Sequence, residues 1–335
     1  MSTSLSSSRF SKRFDLTTPI ALAPMAFATG GALAAACAKV GTLALVGGSY
    51  GDLAWTTREY GAAEEALNDH PEALARLGCG FITWKLEDNA SALDWVLDRP
   101  AKPSAIMLSF GDPTAIARRI TDADIPLICQ VQTMAMVPEA VAAGAKVIVA
   151  QGAEAGGHGM NALDGRSTFT LVPEIADWLA ANAPEVQLLA AGGIADGRGL
   201  AAALLLGADG ALVGSRLWAC AESLAPEAAI AEAVAADGDG TARSKIFDIL
   251  REKDWPQHFD FRALRNAIHR EWEGQIEQLA ASPESAIAEY KAGVQAGDYS
   301  RAHITVGEST GLIRNAPGAA EVIAAIDAEA RTLLD

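Results

Sequence analysis

The 335-residue sequence is poor in cysteine, in histidine and in positive charge. Its four cysteines form no C-x-x-C pair, which argues against a disulfide framework or a zinc site and predicts buried free thiols in a reducing compartment. The 42 acidic residues outnumber the 26 basic ones, for a net charge of −16. Such a charge disfavours nucleic acid and anionic membranes as partners. The residue pattern indicates no metal site.

Long uninterrupted hydrophobic runs are also lacking. The Ser-rich, basic start of the chain precedes an apolar region, but Pro24, Gly30 and Gly31 break that region and Lys39 places a charge in it. This pattern argues against a signal peptide or a membrane span. We therefore expect a disordered N-terminal tail over residues 1–14 and a cytoplasmic protein.

What the chain does have is a series of eight short apolar runs, most of them followed by a stretch of helical composition. The runs are almost continuously apolar, as is typical of parallel strands buried on both faces. Eight successive units predict an α/β protein, a (β/α)8 TIM barrel over residues 15–219, with a doubly wound sheet as the alternative. The runs cover residues 20–26, 42–48, 79–86, 104–111, 126–132, 145–152, 186–194 and 210–217.

The composition changes after the eighth run. Residues 220–310 are rich in Ala, Glu and Arg at helical spacing, and no strand is predicted there. We expect a helical segment that packs over one end of the barrel. Residues 311–335 are predicted to end in a helix that packs on the barrel.

Two glycine-rich stretches follow the seventh and eighth runs. Loops at these places are the usual phosphate site of a barrel, because backbone N–H groups converge there and glycine lets the phosphate approach. "AAGGIADGRG" and "LVGSR" therefore predict a phosphate pocket with a hydroxyl at Ser215 and a cation at Arg216. The alternative is a pair of tight turns without a ligand.

Two side chains at predicted strand ends are candidates for chemistry. His158 stands in "QGAEAGGHGM" after the sixth run, where an imidazole that titrates near neutrality could take a substrate proton. The alternative is a structural histidine. Lys85 ends the third run and could form a Schiff base, although the neighbouring acidic residues equally indicate a solvated ion pair.

Four stretches together resemble the nitronate monooxygenase family, formerly called 2-nitropropane dioxygenases, which are FMN-dependent barrels. They are "PIALAPMAFATGGALAAACAKVG", "QGAEAGGHG", "AAGGIADGRGLAAALLLGADGALVGSRL" and "VGESTGLI", in the order of the family. The resemblance implies that His158 is the catalytic base and that the helical segment over residues 220–310 covers the substrate. It also implies FMN contacts from Ala23, Pro24, Met25, Thr83, Gln130, Gln151, Gly156, Gly157, Gly192, Gly193, Leu212, Val213, Gly214 and Ser215.

The chain departs from the family at two places. It has "ITWKL" where many members have Asn-Leu, and Gln130 where some relatives have lysine. Both positions would lie near the flavin ring, where a hydrogen bond or a charge tunes its reactivity. The resemblance therefore supports FMN binding more strongly than the particular oxidation.

The function that we expect is FMN-dependent oxidation of alkyl nitronates, or of nitroalkanes after proton removal, with O2. A second hypothesis is NAD(P)H-dependent reduction of quinones or enoyl thioesters on the same scaffold, although the sequence contains no recognisable NAD fingerprint. Two more hypotheses are a Schiff-base lyase that uses Lys85 and a flavin-binding protein without turnover. The oligomeric state is open, with a homodimer as one possibility.

Overall fold

The computed structural model describes residues 8–335 and contains a closed barrel of eight parallel strands. The barrel closes where Leu22 of the first strand pairs with Val213 of the last. This confirms the (β/α)8 TIM barrel, and all eight apolar runs contribute a barrel strand. In chain order the strands are β1 Ile20–Leu22, β2 Leu43–Gly47, β3 Leu77–Ile82, β4 Ile106–Ser109, β5 Leu127–Val131, β6 Val147–Gln151, β7 Gly157–Met160, β8 Gln187–Ala191, β9 Gly210–Val213, β10 Thr241–Ser244 and β11 Phe259–Leu264; β7, β10 and β11 lie outside the barrel.

Helices surround the barrel and extend beyond it. Their order is α1 Arg9–Phe14, α2 Gly31–Lys39, α3 Leu53–Ala66, α4 Pro71–Leu74, α5 Thr83–Leu86, α6 Ser91–Leu97, α7 Thr114–Thr121, α8 Met136–Ala142, α9 Thr168–Asn182, α10 Gly197–Leu205, α11 Ser215–Trp218, α12 Glu227–Ala235, α13 Ile246–Leu250, α14 Ala267–Trp272, α15 Ile276–Ala281, α16 Glu284–Ala296 and α17 Ala319–Leu334. The last of them, α17, packs on α10, where a Cβ on Gly197 would lie 2.4 Å from the Ala330 nitrogen. No helix in the described part of the chain is long and apolar enough to span a membrane.

The N-terminal helix α1 closes the barrel at the end where the strands begin. Phe10 and Phe14 are buried against the first residues of several barrel strands, Leu43 and Val147 among them. The expected disordered tail is therefore wrong for residues 9–14, because these two rings fill the end of the barrel at which the strands begin. Residues 1–7 of that expected tail lie outside the described residues.

A small antiparallel sheet, in the order β10-β11-β7, lies over the other end of the barrel. The prediction of a strand-free segment over residues 220–310 is wrong, since β10 and β11 both belong to it. In β11, Phe259, Phe261 and Ala263 are buried and alternate with less buried residues, which is the period-two pattern of a strand. The run is only six residues long and lies among helical stretches, so its pattern is easily overlooked.

Candidate active site

A cavity of about 610 Å³ lies at the carboxyl ends of the barrel strands. Its floor consists of strand ends, and its walls include residues of the 220–310 segment, among them Arg251, Trp255 and Tyr290. Active sites of barrels lie at this end of the strands. The volume is within the range of pockets that hold a small molecule or a cofactor.

Most of the residues predicted to touch a cofactor line this one cavity. His158 lines it as well. The structure thus brings together residues that follow or end the strands β1, β5, β6, β8 and β9. The predicted cofactor residues on the cavity wall are Ala23, Pro24, Met25, Gln130, Gln151, Gly156, Gly157, Gly192, Gly193, Leu212, Gly214 and Ser215.

Thr83 and Val213 are the two predicted contacts that do not line the cavity. Thr83 is buried at the start of α5, and its hydroxyl donates a hydrogen bond to the Ser109 carbonyl oxygen at 3.1 Å. Val213 packs in the layer between the barrel and its helices, whereas its neighbour Leu212 packs inside the barrel. Successive strand residues point to opposite faces, so both neighbours cannot face the interior. Neither residue lines the cavity, so their assignment as cofactor contacts stays a prediction that only their backbone could fulfil.

The proposed phosphate loops meet at the end of β8 and β9. Gly192 and Gly193 have φ values of 98° and 78°, a region that favours glycine. Gly214 has a negative φ, and a Cβ added to it would meet no atom closer than 3.8 Å. The Ser215 hydroxyl oxygen accepts a hydrogen bond from the Gly307 N–H at 2.9 Å. Gly193 and Gly214 thus leave room beside their backbone at the cavity edge, whereas a Cβ on Gly192 would lie 3.1 Å from the Ala155 nitrogen.

Arg216 does not supply the cation that the sequence suggested for this pocket. Its side chain is buried away from the cavity and donates a hydrogen bond to the Asn315 carbonyl oxygen at 2.9 Å. Arg216 follows Ser215 in the short helix α11, where its side chain points away from the cavity. An anion bound here would therefore rely on backbone N–H groups and the Ser215 hydroxyl.

The glycines of the loop after β6 mainly allow close packing with other parts of the protein. A Cβ on Gly156 would lie 2.5 Å from the Gly307 nitrogen, and Gly157 has a φ of 73°. The loop is also held by the Arg243 guanidinium, which donates to the carbonyl oxygens of Ala153, Ala155 and Gly157. Burial lowers the pKa of Arg243 to about 10, so it is still charged at neutral pH. The sequence showed the loop but not the partners that shape it.

Three glutamine side chains lie at the ends of β5 and β6. The Gln132 Nε2 donates to the Gln151 Oε1 at 2.9 Å, and the Gln151 Nε2 donates to the His158 carbonyl oxygen at 3.0 Å. This chain of hydrogen bonds fixes the backbone at His158. The Gln130 Nε2 is buried on the cavity wall without a partner among the described residues. An unpaired buried donor is costly unless a ligand or water satisfies it.

His158 lies on β7, where it pairs with Phe261 of β11. Its side chain is 7% exposed, and its Nε2 is 2.8 Å from the Oδ1 of Asp248. The imidazole stacks on the Trp255 indole, with ring centroids 3.3 Å apart and an angle of 10°. Burial lowers the pKa of His158 well below its ordinary value, and the nearby cations Arg251 and Arg243 lower it further. The free imidazole is therefore neutral at pH 7, as a base must be.

Several residues of this site escaped the sequence analysis because they lie in the segment read only as helical. Asp248 bonds to His158, and Arg251 and Lys253 line the cavity. The Tyr290 hydroxyl and the His303 Nδ1 are 2.7 Å apart and also line it. Burial lowers the pKa of His303 to about 3. No short motif marks these residues, since only the tertiary structure brings them to the barrel.

Lys85 lies apart from the cavity. Its amino group is 3.1 Å from the carboxylate of Asp88, which is largely exposed, and it also lies over the Trp84 ring. This is the solvated ion pair that the sequence allowed as the alternative. Because Lys85 does not line the cavity, the structure argues against the Schiff-base hypothesis. Among residues 8–335, no cluster of three or more His, Cys, Asp or Glu is arranged to hold a metal ion.

The chain is similar to proteins of known family over most of its length. The family model described as nitronate monooxygenase matches residues 82–329. A nitronate monooxygenase of Metarhizium robertsii is 32% identical, and the alignment covers 93% of this chain and 90% of the relative. Among solved structures, FabK of Thermotoga maritima superposes with a TM-score of 0.78 at 25% identity, covering 98% of this chain and 97% of the other.

A second solved structure supports the same fold. Nitroalkane oxidase of Streptomyces ansochromogenes superposes with a TM-score of 0.79 at 24% identity, covering 97% of this chain and 99% of the other. At that identity the likeness concerns the fold alone. The family match, the relative from Metarhizium and the cavity at the carboxyl ends of the strands agree with each other. This chain belongs to the nitronate monooxygenase family of flavin-dependent oxidoreductases.

Proposed function

We propose that the protein is an FMN-dependent nitronate monooxygenase that oxidises alkyl nitronates with O2, with His158 as the base that removes a proton from neutral nitroalkanes. The observation that carries the proposal is the buried His158 imidazole, its pKa lowered by burial, on the wall of the same cavity that the glycine-lined loops border. Family membership supports the reaction class.

The residues present fit FMN. The Gln130 Nε2 is a buried donor without a partner among the described residues, and a flavin ring offers carbonyl acceptors to such a donor. Gly193, Gly214 and Ser215 lie together at the cavity edge, where backbone and hydroxyl groups can bind a phosphate. The backbone of Ala23, Pro24 and Met25 supplies a surface on which the ring would rest.

The protein's own residues would bind the substrate and handle its proton. When bound, the flavin supplies the redox chemistry between nitronate and O2. His158 would take the proton from the carbon next to the nitro group, which leaves the anionic nitronate. The stacked Trp255 and the hydrogen bond from Gln151 hold the imidazole ring and its backbone in place. The 220–310 segment, through Arg251 and other cavity-lining residues, would cover the substrate and limit access of water.

We predict that the purified protein releases FMN and not FAD. The site has one glycine-lined pocket at the ends of β8 and β9, and the sequence has no second such strand-helix turn for an adenylate. The test is to denature the protein, identify the released cofactor by mass, and record the visible spectrum before and after. Release of FAD, or a protein that stays colourless after incubation with FMN, would contradict the assignment.

The second candidate is NAD(P)H-dependent reduction of quinones or enoyl thioesters on the same scaffold. The likeness to FabK at 25% identity favours it, as do Arg251, Lys253 and Lys291, three cations that line the cavity of an acidic protein. Steady-state assays separate the two candidates. NADH or NADPH oxidation with a quinone or an enoyl thioester supports the reductase, and O2 consumption with a nitronate alone supports the monooxygenase.

Two further predictions concern the protein in the cell. The four buried thiols are typical of a reducing compartment, so we propose a cytoplasmic location. A homodimer is the assembly that we would test first, by light scattering of the flavin-loaded protein.

A further inference from the structure

We infer that Asp248 is a positioning residue that holds His158 in the tautomer whose Nδ1 carries a lone pair toward the cavity. The inference rests on the proposed function, because it assigns a partner to the proposed base. It concerns a residue of the covering segment rather than of the barrel. The base would thus be complete only when the segment that carries α13 is in place.

The geometry leaves Nδ1 as the nitrogen available to a substrate. The Nε2 of His158 is 2.8 Å from the Asp248 Oδ1, and the Asp248 side chain is 3% exposed behind the imidazole. Asp248 itself does not line the cavity, whereas His158 does. Within residues 8–335, the hydrogen bond of the His158 ring is made by Nε2, and Nδ1 has no partner. Nε2 therefore contacts the protein, and Nδ1 is the nitrogen that can face a substrate in the cavity.

The protonation state of Asp248 decides what Nδ1 can do. A neutral imidazole carries one N–H. When Asp248 is ionised, the Nε2–H donates to its carboxylate and Nδ1 can accept a substrate proton. When Asp248 is protonated, its hydroxyl donates to Nε2, and the ring proton then resides on Nδ1. In that state His158 cannot act as a base.

Packing holds the ring in one orientation, with Nε2 at the Asp248 carboxylate. Trp255 stacks on one face of the imidazole, and the Phe261 ring lies 4.8 Å away by centroids. The cross-strand pairing of His158 with Phe261 fixes its backbone. A carboxylate placed at Nε2 can therefore select one tautomer for the whole site.

The second oxygen of Asp248 argues against a merely structural carboxylate. Oδ2 is buried and has no hydrogen-bond partner among the described residues, a costly arrangement for a charged group. A carboxylate kept for stability alone would be expected to have both oxygens paired. Among residues 8–335, the hydrogen bond to His158 is the one that this side chain makes, which is consistent with a role at the base.

The charged surroundings of the pair bear on its pH dependence. Burial raises the pKa of Asp248 to about 7, while Arg251 and Lys245 oppose this increase. The fraction of ionised Asp248, and with it the fraction of competent base, should therefore rise as the pH increases through about 7. The titratable and charged groups near the pair are Arg243, Lys245, Arg251, Asp260 and His303.

The test is Asp248→Asn, assayed with a neutral nitroalkane and with its pre-formed nitronate. The amide can donate to Nε2 and place the ring proton on Nδ1, so we expect kcat/KM for the neutral form to fall about 10- to 100-fold. Activity on the nitronate should change little, since that substrate has already lost its proton. The increase of kcat/KM near pH 7 should disappear from the pH profile of the variant.

Asp260→Asn is the matched control. Asp260 is a neighbouring carboxylate on β11, 3.5 Å from the Lys245 amino group, and it makes no contact with the His158 ring. The control variant should retain the ratio between the two substrate forms and the increase of kcat/KM with pH, with a midpoint shifted by loss of the Asp260 charge, which interacts with that of Asp248. If Asp248→Asn also retains both, the positioning role is wrong.

A measurement that needs no turnover separates failure of this inference from failure of the proposed function. In protein labelled with 15N-histidine, the NMR signal of His158, identified by its loss in His158→Asn, should show a protonated Nε2 and an unprotonated Nδ1 at pH 8. The opposite tautomer would overturn the inference even if Asp248→Asn failed to fold. If the wild type shows the expected tautomer but oxidises neither substrate, the proposed function is wrong and the positioning by Asp248 stands.

Discussion

His158→Asn is expected to keep FMN bound and to lose about 10²–10⁴-fold in kcat/KM on neutral nitroalkanes, the range typical of removing a general base. Asparagine retains a polar side chain on β7 but cannot accept a proton near neutral pH. Activity on pre-formed nitronates should survive in part, because those substrates need no base. The measurement is O2 consumption with both substrate forms, together with the flavin content of each preparation.

The control for this prediction is His70→Asn. His70 is exposed at the start of α4 and does not line the cavity. Its replacement should leave both activities unchanged. Equal losses on both substrate forms in His158→Asn would indicate a role in substrate positioning or electrostatics. An unchanged activity on both would make His158 structural.

Gly214→Val is expected to weaken FMN binding by about 10²–10⁴-fold while the barrel stays folded. Gly214 has a φ of −103° and a ψ of −89°, a pair outside the main allowed regions, so valine adds backbone strain there, but an added Cβ would meet no protein atom closer than 3.8 Å. The new side chain would instead occupy the edge of the cavity where we place the phosphate. Loss of two hydrogen bonds to a charged group, at about 1.5–3 kcal/mol each, corresponds to a change of this size.

The Kd should be measured by fluorescence titration of FMN into flavin-free protein, with circular dichroism to verify the fold. Gly61→Val is the matched control, because Gly61 lies on α3 with no atom within 4 Å of an added Cβ. Gly193 is a poorer choice, since its φ of 78° would strain any valine whether or not a phosphate binds there. An unchanged Kd for FMN in Gly214→Val would contradict the assignment of the phosphate site to this pocket.

The barrel was predictable because its signals are local and repeated. Each buried parallel strand leaves a short apolar run in the sequence; Leu77–Ile82 shows the pattern throughout, and Val147–Gln151 shows it up to the final glutamine. The strand ends then locate Pro24, Gln151 and Gly214 on one cavity, because parallel strands of a barrel all end on the same side. Val213 faces the surrounding helices instead, because side chains alternate along a strand, and the resemblance to the family did not indicate this orientation.

The helix α1 is a place where local sequence signals are misleading. A Ser-rich, basic stretch is typical of a disordered tail, yet Phe10 and Phe14 bury residues 9–14 against the end of the barrel at which the strands begin. Two aromatic rings in a polar segment form no periodic pattern of their own. Their burial depends on an opening at the end of the barrel, which exists only once the eight strands have closed.

The sequence by itself determined the barrel and the glycine-rich strand ends, and it marked His158 as the candidate base. Only the tertiary structure decided what surrounds that base: Asp248 is 90 residues away along the chain, and Trp255 lies in a segment without a recognisable motif. The physical reason is that strand burial and backbone conformation depend on neighbouring residues and leave a periodic trace. A hydrogen bond between distant side chains needs one suitable residue at the right place, and it leaves no pattern in the sequence.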